Sequence, residues 1–335
     1  MKNICFILIL LLSLQSYFGH AQEHPLARLW KVNDNEIPKL LELERNLTAL
    51  DKILSQILEQ DDYLTNFAGS YINLMNKKET PYSLAQQTMN LSPRKAGKVS
   101  VIIPCGEGIF NHGPVSHGSS VGFWARDAIN TKNTYIITTG HGIDSRRLGL
   151  NEFYPWPWEN NEPPPESRKN LIGTPEVVSV NTFDYALIKV EKKKFIPQFE
   201  VRNSDFAQYP TLFINDGLRA SSHGIHLCKS GHTTHFTCGY IKGFNGIFGD
   251  EEGFTRNLII TDMLAKEGDS GGSVISFNAL NNLRSVSLAG IHVAQSNNIA
   301  AGHSLETIIS TANSSWGIKI VPSKITWLIL GQANT

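Results

Sequence analysis

The chain has 335 residues, enough for one large domain or two modest ones. Lys+Arg and Asp+Glu balance at 30 each, so no bulk field of either sign favours nucleic acid or an anionic membrane as a partner. A hydrophobic content of 41% with 27 glycines describes a globular protein with many turns.

Lys2 is followed by an apolar run over 4–14 and then by Gly19-His20-Ala21, a small-x-small cleavage pattern. Residues 1–21 are therefore expected to be a secretory signal peptide, with a buried N-terminal helix as the other reading. The run is too short to span a bilayer, and no later stretch has the roughly 18 unbroken apolar residues that spanning needs. The expectation is a secreted, extracellular protein in a compartment that permits disulfides. Cys5 would leave with the signal. Of Cys105, Cys228 and Cys238, the ten-residue spacing of the last two suits a hairpin bridge. Cys105 is then unpaired or joined to another chain.

Over 35–60 the pattern is helical, with Leu40, Leu43, Leu47, Leu50, Leu54 and Ile57 at alternating three- and four-residue steps. Pro38 sits near the start, where proline is tolerated. A short strand-like piece follows at 67–72. Residues 76–97 are polar, with Pro81, Pro93 and the basic pair Arg94-Lys95, and read as an exposed linker open to proteolysis. Beyond it the texture changes. Segments 99–103, 135–138, 185–190, 258–260 and 286–291 are short, rich in β-branched residues and separated by turn residues, the pattern of an all-β barrel or sandwich.

The proline-laden loop Tyr154-Pro155-Trp156-Pro157-Trp158 through Pro163-Pro164-Pro165 reads as a rigid surface excursion. It is either an insertion without a role, the favoured reading, or a lip over a binding site. A last helix is expected over 305–311, followed by a strand over 316–321; the tail beyond Pro322 has no assignment. No solenoid repeat is present. Asn46 and Asn313 lie in glycosylation sequons, relevant only in a host that uses them.

The chemistry centres on Gly268-Asp269-Ser270-Gly271-Gly272. Gly268 lets the backbone turn so that its own N–H and that of Ser270 can point at one spot, the geometry of an oxyanion hole. The same five residues also suit a surface turn. A nucleophilic serine needs a base, and His141 follows directly on the strand-like 135–138, with small neighbours. The base needs a carboxylate to fix its tautomer, and Asp184 stands at the mouth of the apolar segment 185–190. Each of these alone has an ordinary structural reading; the order His, Asp, Ser at strand edges joins them. The cluster His223, His226, His232 and His235 around Cys228 and Cys238 admits a zinc site as a rival to the disulfide.

Thr138-Thr139-Gly140-His141, the segment that begins at Asp184, and Gly268-Asp269-Ser270-Gly271-Gly272, in that order, resemble the three signature segments of chymotrypsin-like serine proteases. The segment from Cys228 to Gly239 is similar to the disulfide hairpin of the alpha-lytic protease and streptogrisin branch, and 64–72 resembles a piece of that branch's pro-region. The likeness implies an all-β fold of two six-stranded antiparallel β-barrels with a C-terminal helix, preceded by a small, mainly helical pro-segment. It implies domains at 22–96 (pro-segment), 97–325 (protease) and 326–335 (tail).

By the same resemblance Ser270 is the nucleophile, His141 the base and Asp184 its orienting acid. The N–H groups of Gly268 and Ser270 form the oxyanion hole, and Asp269 accepts a buried contact that fixes the loop. Cys228 and Cys238 form a disulfide. No metal or cofactor is implied; the partners are protein or peptide substrates and the chain's own pro-segment, and the enzyme is expected to be a monomer.

Three departures stand out. Gly142 replaces the usual cysteine after the histidine, no cysteine stands near Lys266, and Val293 replaces a serine beside the substrate strand. The specificity pocket is expected from Leu264, Ala265, Glu267, His292, Val293, Ala294 and Gln295. Leu264 occupies the place of the acid that selects Arg or Lys. His292 matches the pocket histidine of glutamate-specific relatives, whereas Glu267 would repel an acidic side chain. A glutamate-specific endopeptidase and a non-catalytic binding homologue are the alternatives to a broader serine endopeptidase.

Overall fold

A computed structural model describes residues 24–58, 69–73, 78–82, 102–191, 194–250, 253–278, 284–296 and 298–322. The expected signal peptide, most of the polar linker and the tail at 326–335 lie outside the described residues.

The N-terminal segment opens with α1 (Pro25–Trp30) and α2 (Ile37–Leu58), the latter close to the predicted 35–60. Strands β1 (Gly69–Asn73) and β2 (Lys78–Tyr82) form a hairpin. The second of these lies inside the stretch read as an exposed linker, which corrects that reading. Pro81 is accommodated because β2 is an edge strand among the described residues, where proline is tolerated.

The first barrel is built from β3 (Gly108–Asn111), β4 (His117–Ser120), β5 (Phe123–Asp127), β6 (Thr134–Thr138), β7 (Phe153–Trp156), β8 (Gly173–Ser179) and β9 (Tyr185–Val190). All neighbours pair antiparallel, in the order β5, β6, β9, β8, β7, β3, β4. Backbone hydrogen bonds from Val121 N to Glu107 O and from Gly122 N to Ile137 O carry the ladder across the bend between β4 and β5. Those two strands are therefore halves of one, and the ring closes on six.

The second half contributes β10 (Glu200–Arg202), β11 (Thr211–Gly217), β12 (His226–Gly231), β13 (His235–Asp250), β14 (Gly253–Thr261), β15 (Ser273–Phe277), β16 (Ser285–Ser296) and β17 (Ile299–Ser304). Strands β12, β13, β14, β17, β16 and β15 pair antiparallel and return to β12, a second closed ring of six. β10 and β11 flank it, with β11 parallel to β16. Closure removes the unpaired edges that an open sheet would expose.

One apolar cluster runs through both rings. Ile136, Ile137, Leu187 and Ile188 of the first and Leu258, Ile275, Leu288 and Ile291 of the second are all fully buried. Strand β13 has 16 residues against 6 in β12, so its far half lacks a partner on that side within the barrel. β1 fills the vacancy, with Gly69 opposite Phe248 and Ile72 opposite Phe244. Trp30 anchors the segment further: its indole N–H donates to Ser222 Oγ at 3.1 Å, and its ring meets His223 edge-on.

Helix α3 (Leu305–Trp316) outruns the predicted 305–311 and takes in Trp316, the first residue of the strand predicted over 316–321. Its end is poor in strong helix formers (Asn313-Ser314-Ser315), which hid it in the sequence. Buried Ile308 and Ala312 hold it to the core, and Gly317 ends it in the left-handed conformation at φ 66°. Only β18 (Ile320–Pro322) remains of the expected strand, and it joins β5 of the first barrel.

Cys228 and Cys238 face each other across β12 and β13 and are joined by a disulfide. Cys105 is free and buried, its thiol pushed up to about 12 by desolvation. The four histidines considered for zinc are dispersed. His223 faces Trp30, His226 Tyr240, His232 Trp156 and His235 Trp158. With both sulfurs in the bridge, no thiolate is left for a metal at that place.

Candidate active site

His141 leaves the end of β6 on a backbone that cannot shift freely, because Thr138, Thr139 and Gly140 are buried. Gly142 has φ 80°, and a Cβ there would come within 2.4 Å of the His117 ring. His117 on β4 thus fills the space beside His141, their ring centroids 5.7 Å apart and close to perpendicular. Burial, followed by the neighbouring His141, pushes the His117 imidazole down to about 4, so it is neutral at ordinary pH.

Asp184 is 3% exposed and directly contacts His141, whose Nδ1–H donates to its Oδ2 at 2.5 Å. Its Oδ1 accepts the backbone N–H of Gly140 at 2.6 Å and of His141 at 3.0 Å. Burial alone would raise this carboxyl, but the His141 imidazole and the N–H donors outweigh it and hold it below its usual range. The Asp184 backbone N–H donates in turn to Nε2 of His303 at 2.8 Å, so that ring carries its proton on Nδ1. His303 is wholly buried and pushed down to about 4 by desolvation. Among 11 histidines, nothing in the sequence marked it out.

Ser270 is 6% exposed and lies between two glycines of positive φ, Gly268 at 92° and Gly271 at 88°. Its Oγ–H donates to the Val293 carbonyl at 3.4 Å, and its carbonyl accepts from Ser120 N at 2.7 Å. The Ser120 carbonyl accepts from Thr138 Oγ1 at 2.8 Å, three residues before His141. Two hydrogen bonds therefore tie the serine loop of the second barrel to the strand of the first that delivers the histidine.

Asp269, beneath the loop, is fully buried and saturated. Its Oδ1 accepts from Thr233 N and Thr234 N, both at 2.9 Å; its Oδ2 accepts from Thr234 Oγ1 at 2.6 Å and Lys266 N at 3.0 Å. Buried Lys229 places its Nζ 3.1 Å from Oδ2. Burial works to raise the carboxyl, but Lys229 and the donors hold it below its usual range. Lys229, Thr233 and Thr234 sit in the segment from Cys228 to Gly239 that resembles the family's disulfide hairpin, and the contact with Asp269 was not legible in that resemblance.

The expected pocket residues divide. Leu264 is 53% exposed and Glu267 is exposed, with Ala265 half-buried between them. His292, Val293 and Ala294 are buried, and Gln295 is half-buried. His292 Nε2 meets Gln295 Oε1 at 3.0 Å, and its ring is pushed down to about 4, chiefly by burial. It is a neutral, enclosed group. The edge of β16 from Val293 to Gln295, opposite β17, pairs with no other strand among the described residues.

The proline loop packs its two tryptophans onto the β12–β13 hairpin. Trp156 lies over the His232 ring at 3.8 Å, and Trp158 stacks on His235 at 4.1 Å with planes 6° apart. Partners 76 and 77 positions apart gave no local signal of these contacts.

No protein-family model matches the chain, and no curated protein matches it. Solved structures do. A protease from Nocardiopsis aligns at 20% identity over 66% of this chain and 99% of its own, with a TM-score of 0.50. Protease A from Thermobifida fusca aligns at 19% identity over 66% and 100%, with a TM-score of 0.49. A chymotrypsin from Cellulomonas bogoriensis aligns at 21% identity over 67% and 100%, with a TM-score of 0.48. The first of these, taken with the two closed six-stranded rings, shows the fold to be the two-barrel chymotrypsin-like one.

Proposed function

We propose that the chain is a secreted serine endopeptidase, made as a precursor, that cleaves peptide bonds through an acyl-enzyme. The observation that carries the reading is the buried Asp184 carboxylate. It accepts the His141 Nδ1–H and two backbone N–H groups, which leaves Nε2 as the basic nitrogen of that ring. Ser270 Oγ attacks the scissile carbonyl, and His141 Nε2 takes its proton and then returns it to the leaving amine. Water repeats the sequence on the ester. Asp184 stabilises the imidazolium formed on the way, and the N–H groups of Gly268 and Ser270 hold the oxyanion.

The open edge of β16 at 293–295 offers backbone groups to an extended substrate, in the manner of strand addition. Leu264 occupies the place of an acid that would select Arg or Lys, and Glu267, the one acid of the expected pocket, is exposed at its rim, so Arg and Lys are not selected. Glutamate specificity through His292 is not favoured: the ring is fully buried and neutral, and its Nε2 is engaged by Gln295. Residues 22–96 act as a pro-segment for the protease at 97–325, a role supported by the β1 and β13 pairing and the Trp30 anchor. The working enzyme is a monomer acting on protein or peptide substrates outside the cell.

Chromogenic peptides with Ala, Phe, Glu and Lys at the cleaved position test the reading. Ala or Phe should be cleaved fastest. Cleavage of none would count against the activity, and Lys cleaved fastest would count against the pocket.

A further inference from the structure

The oxyanion donors are peptide N–H groups, and a trans peptide is a rigid plane in which the C=O and N–H point in opposite directions. The direction of each donor is therefore set by whatever holds the carbonyl at the other end of its plane. For Ser270 that carbonyl belongs to Asp269 and accepts from Gly272 N at 2.9 Å within the loop. For Gly268 it belongs to Glu267, and it accepts from Thr233 Oγ1 at 2.6 Å, on a different element of the barrel. At φ 92°, Gly268 has the freedom to let this plane turn over at little cost, so it needs an outside anchor.

Thr233 sits at the tip of the β12–β13 hairpin, in the turn 232–234, and the hairpin end is gripped from the first barrel. Trp156 covers His232, whose backbone N–H donates to Ser120 Oγ at 2.9 Å; that hydroxyl donates to the Gly268 carbonyl at 2.7 Å. Trp158 stacks on His235 on the other flank. Trp158 is itself fixed at three points. Its indole N–H donates to Gly106 O at 2.7 Å, its backbone N–H donates to Glu107 Oε1 at 3.0 Å, and the Arg202 guanidinium lies 4.5 Å over the ring. Arg202 also pairs with Glu107 at 2.6 Å. Pro155 and Pro157 limit the backbone between the two tryptophans.

We infer that the hairpin end 232–235, clamped by Trp156 on His232 and Trp158 on His235, aims the Gly268 N–H, and that Thr233 is the positioning residue at its tip. The inference rests on reading Ser270 as the nucleophile. It gives the proline loop a task and supplies the bracing that the missing cysteines near Gly142 and Lys266 leave undone.

Thr233→Val removes the hydroxyl while keeping the shape, at an exposed position where folding is at little risk. It should lower kcat by about fivefold while KM stays within about twofold, as expected for one hydrogen bond felt only in the transition state. Affinity for a peptide aldehyde, whose hemiacetal uses the oxyanion hole, should fall by the same factor while a product peptide binds unchanged. Thr233→Ser should restore both. Trp158→Ala should lower kcat too, and its loss combined with that of Thr233→Val should fall short of the product of the two.

Thr233→Val with unchanged kcat, or Thr233→Ser as slow as Thr233→Val, would overturn the inference even if Trp158→Ala did not fold. Labelling of Ser270 by a fluorophosphonate separates the two levels. An unlabelled wild type removes the reading of Ser270 and this inference together. A labelled wild type with an unaffected Thr233→Val removes this inference alone.

Discussion

Replacing Lys229 by Met tests whether the serine loop stands on a buried ion pair. Lys229 and Asp269 are both fully buried, and the ammonium lies 3.1 Å from Asp269 Oδ2 and 2.6 Å from Thr234 Oγ1. Deleting one partner of such a pair strands a charge in a poor solvent and typically costs about 3–5 kcal/mol. Asp269 keeps four other donors, from Thr233 N, Thr234 N, Thr234 Oγ1 and Lys266 N. The loss should therefore fall near the lower limit, about 3 kcal/mol. At about 2–4 °C per kcal/mol for a domain of this size, the thermal midpoint should drop by roughly 6–12 °C.

The pH dependence carries a sign. The folded-state pKa of Asp269 is depressed, so its contribution is present above its ordinary value and is lost as pH falls through the folded one. Without Lys229, burial dominates and the carboxyl takes its proton at a higher pH than in the wild type. A neutral carboxyl needs no cation, so the gap in midpoint between the two proteins should narrow as pH is lowered from 7 towards 4. Melting curves at matched scan rate across that range measure it. A gap that stays constant with pH would mean that Lys229 matters through its packed stem, and the ion-pair reasoning would be wrong.

Two further substitutions probe the histidine side. Asp184→Asn should leave the fold intact but slow peptide cleavage by about 10⁴-fold, because an amide no longer fixes the imidazole tautomer; a loss under tenfold would contradict that role. Gly142→Ala should destabilise the protein by about 1–3 kcal/mol in denaturant titration, since it forces a Cβ into positive φ and onto His117. An unchanged midpoint would show that the space beside His141 is not filled as described.

What could be read in the sequence follows from the range over which each signal acts. The serine and histidine loops are legible because a few adjacent residues dictate their backbone: Gly268 and Gly271 both take positive φ, and Gly142 does so directly after His141. The disulfide is legible because Cys228 and Cys238 are partners within one hairpin. Contacts between distant segments leave no such trace. Trp156 on His232, His303 on Asp184 and Ser120 on Gly268 each join residues that only the two-barrel fold brings together. The strand at 78–82 was hidden for a related reason. Its partner β1 continues the edge of β13, an edge that exists only because β13 outruns β12.

The central claim is that Ser270 is a nucleophile activated by His141. Labelling the purified protein with a fluorescent fluorophosphonate tests it most directly. Covalent labelling that disappears in Ser270→Ala is the predicted result. An unlabelled wild-type protein, or labelling that persists in Ser270→Ala, would contradict it.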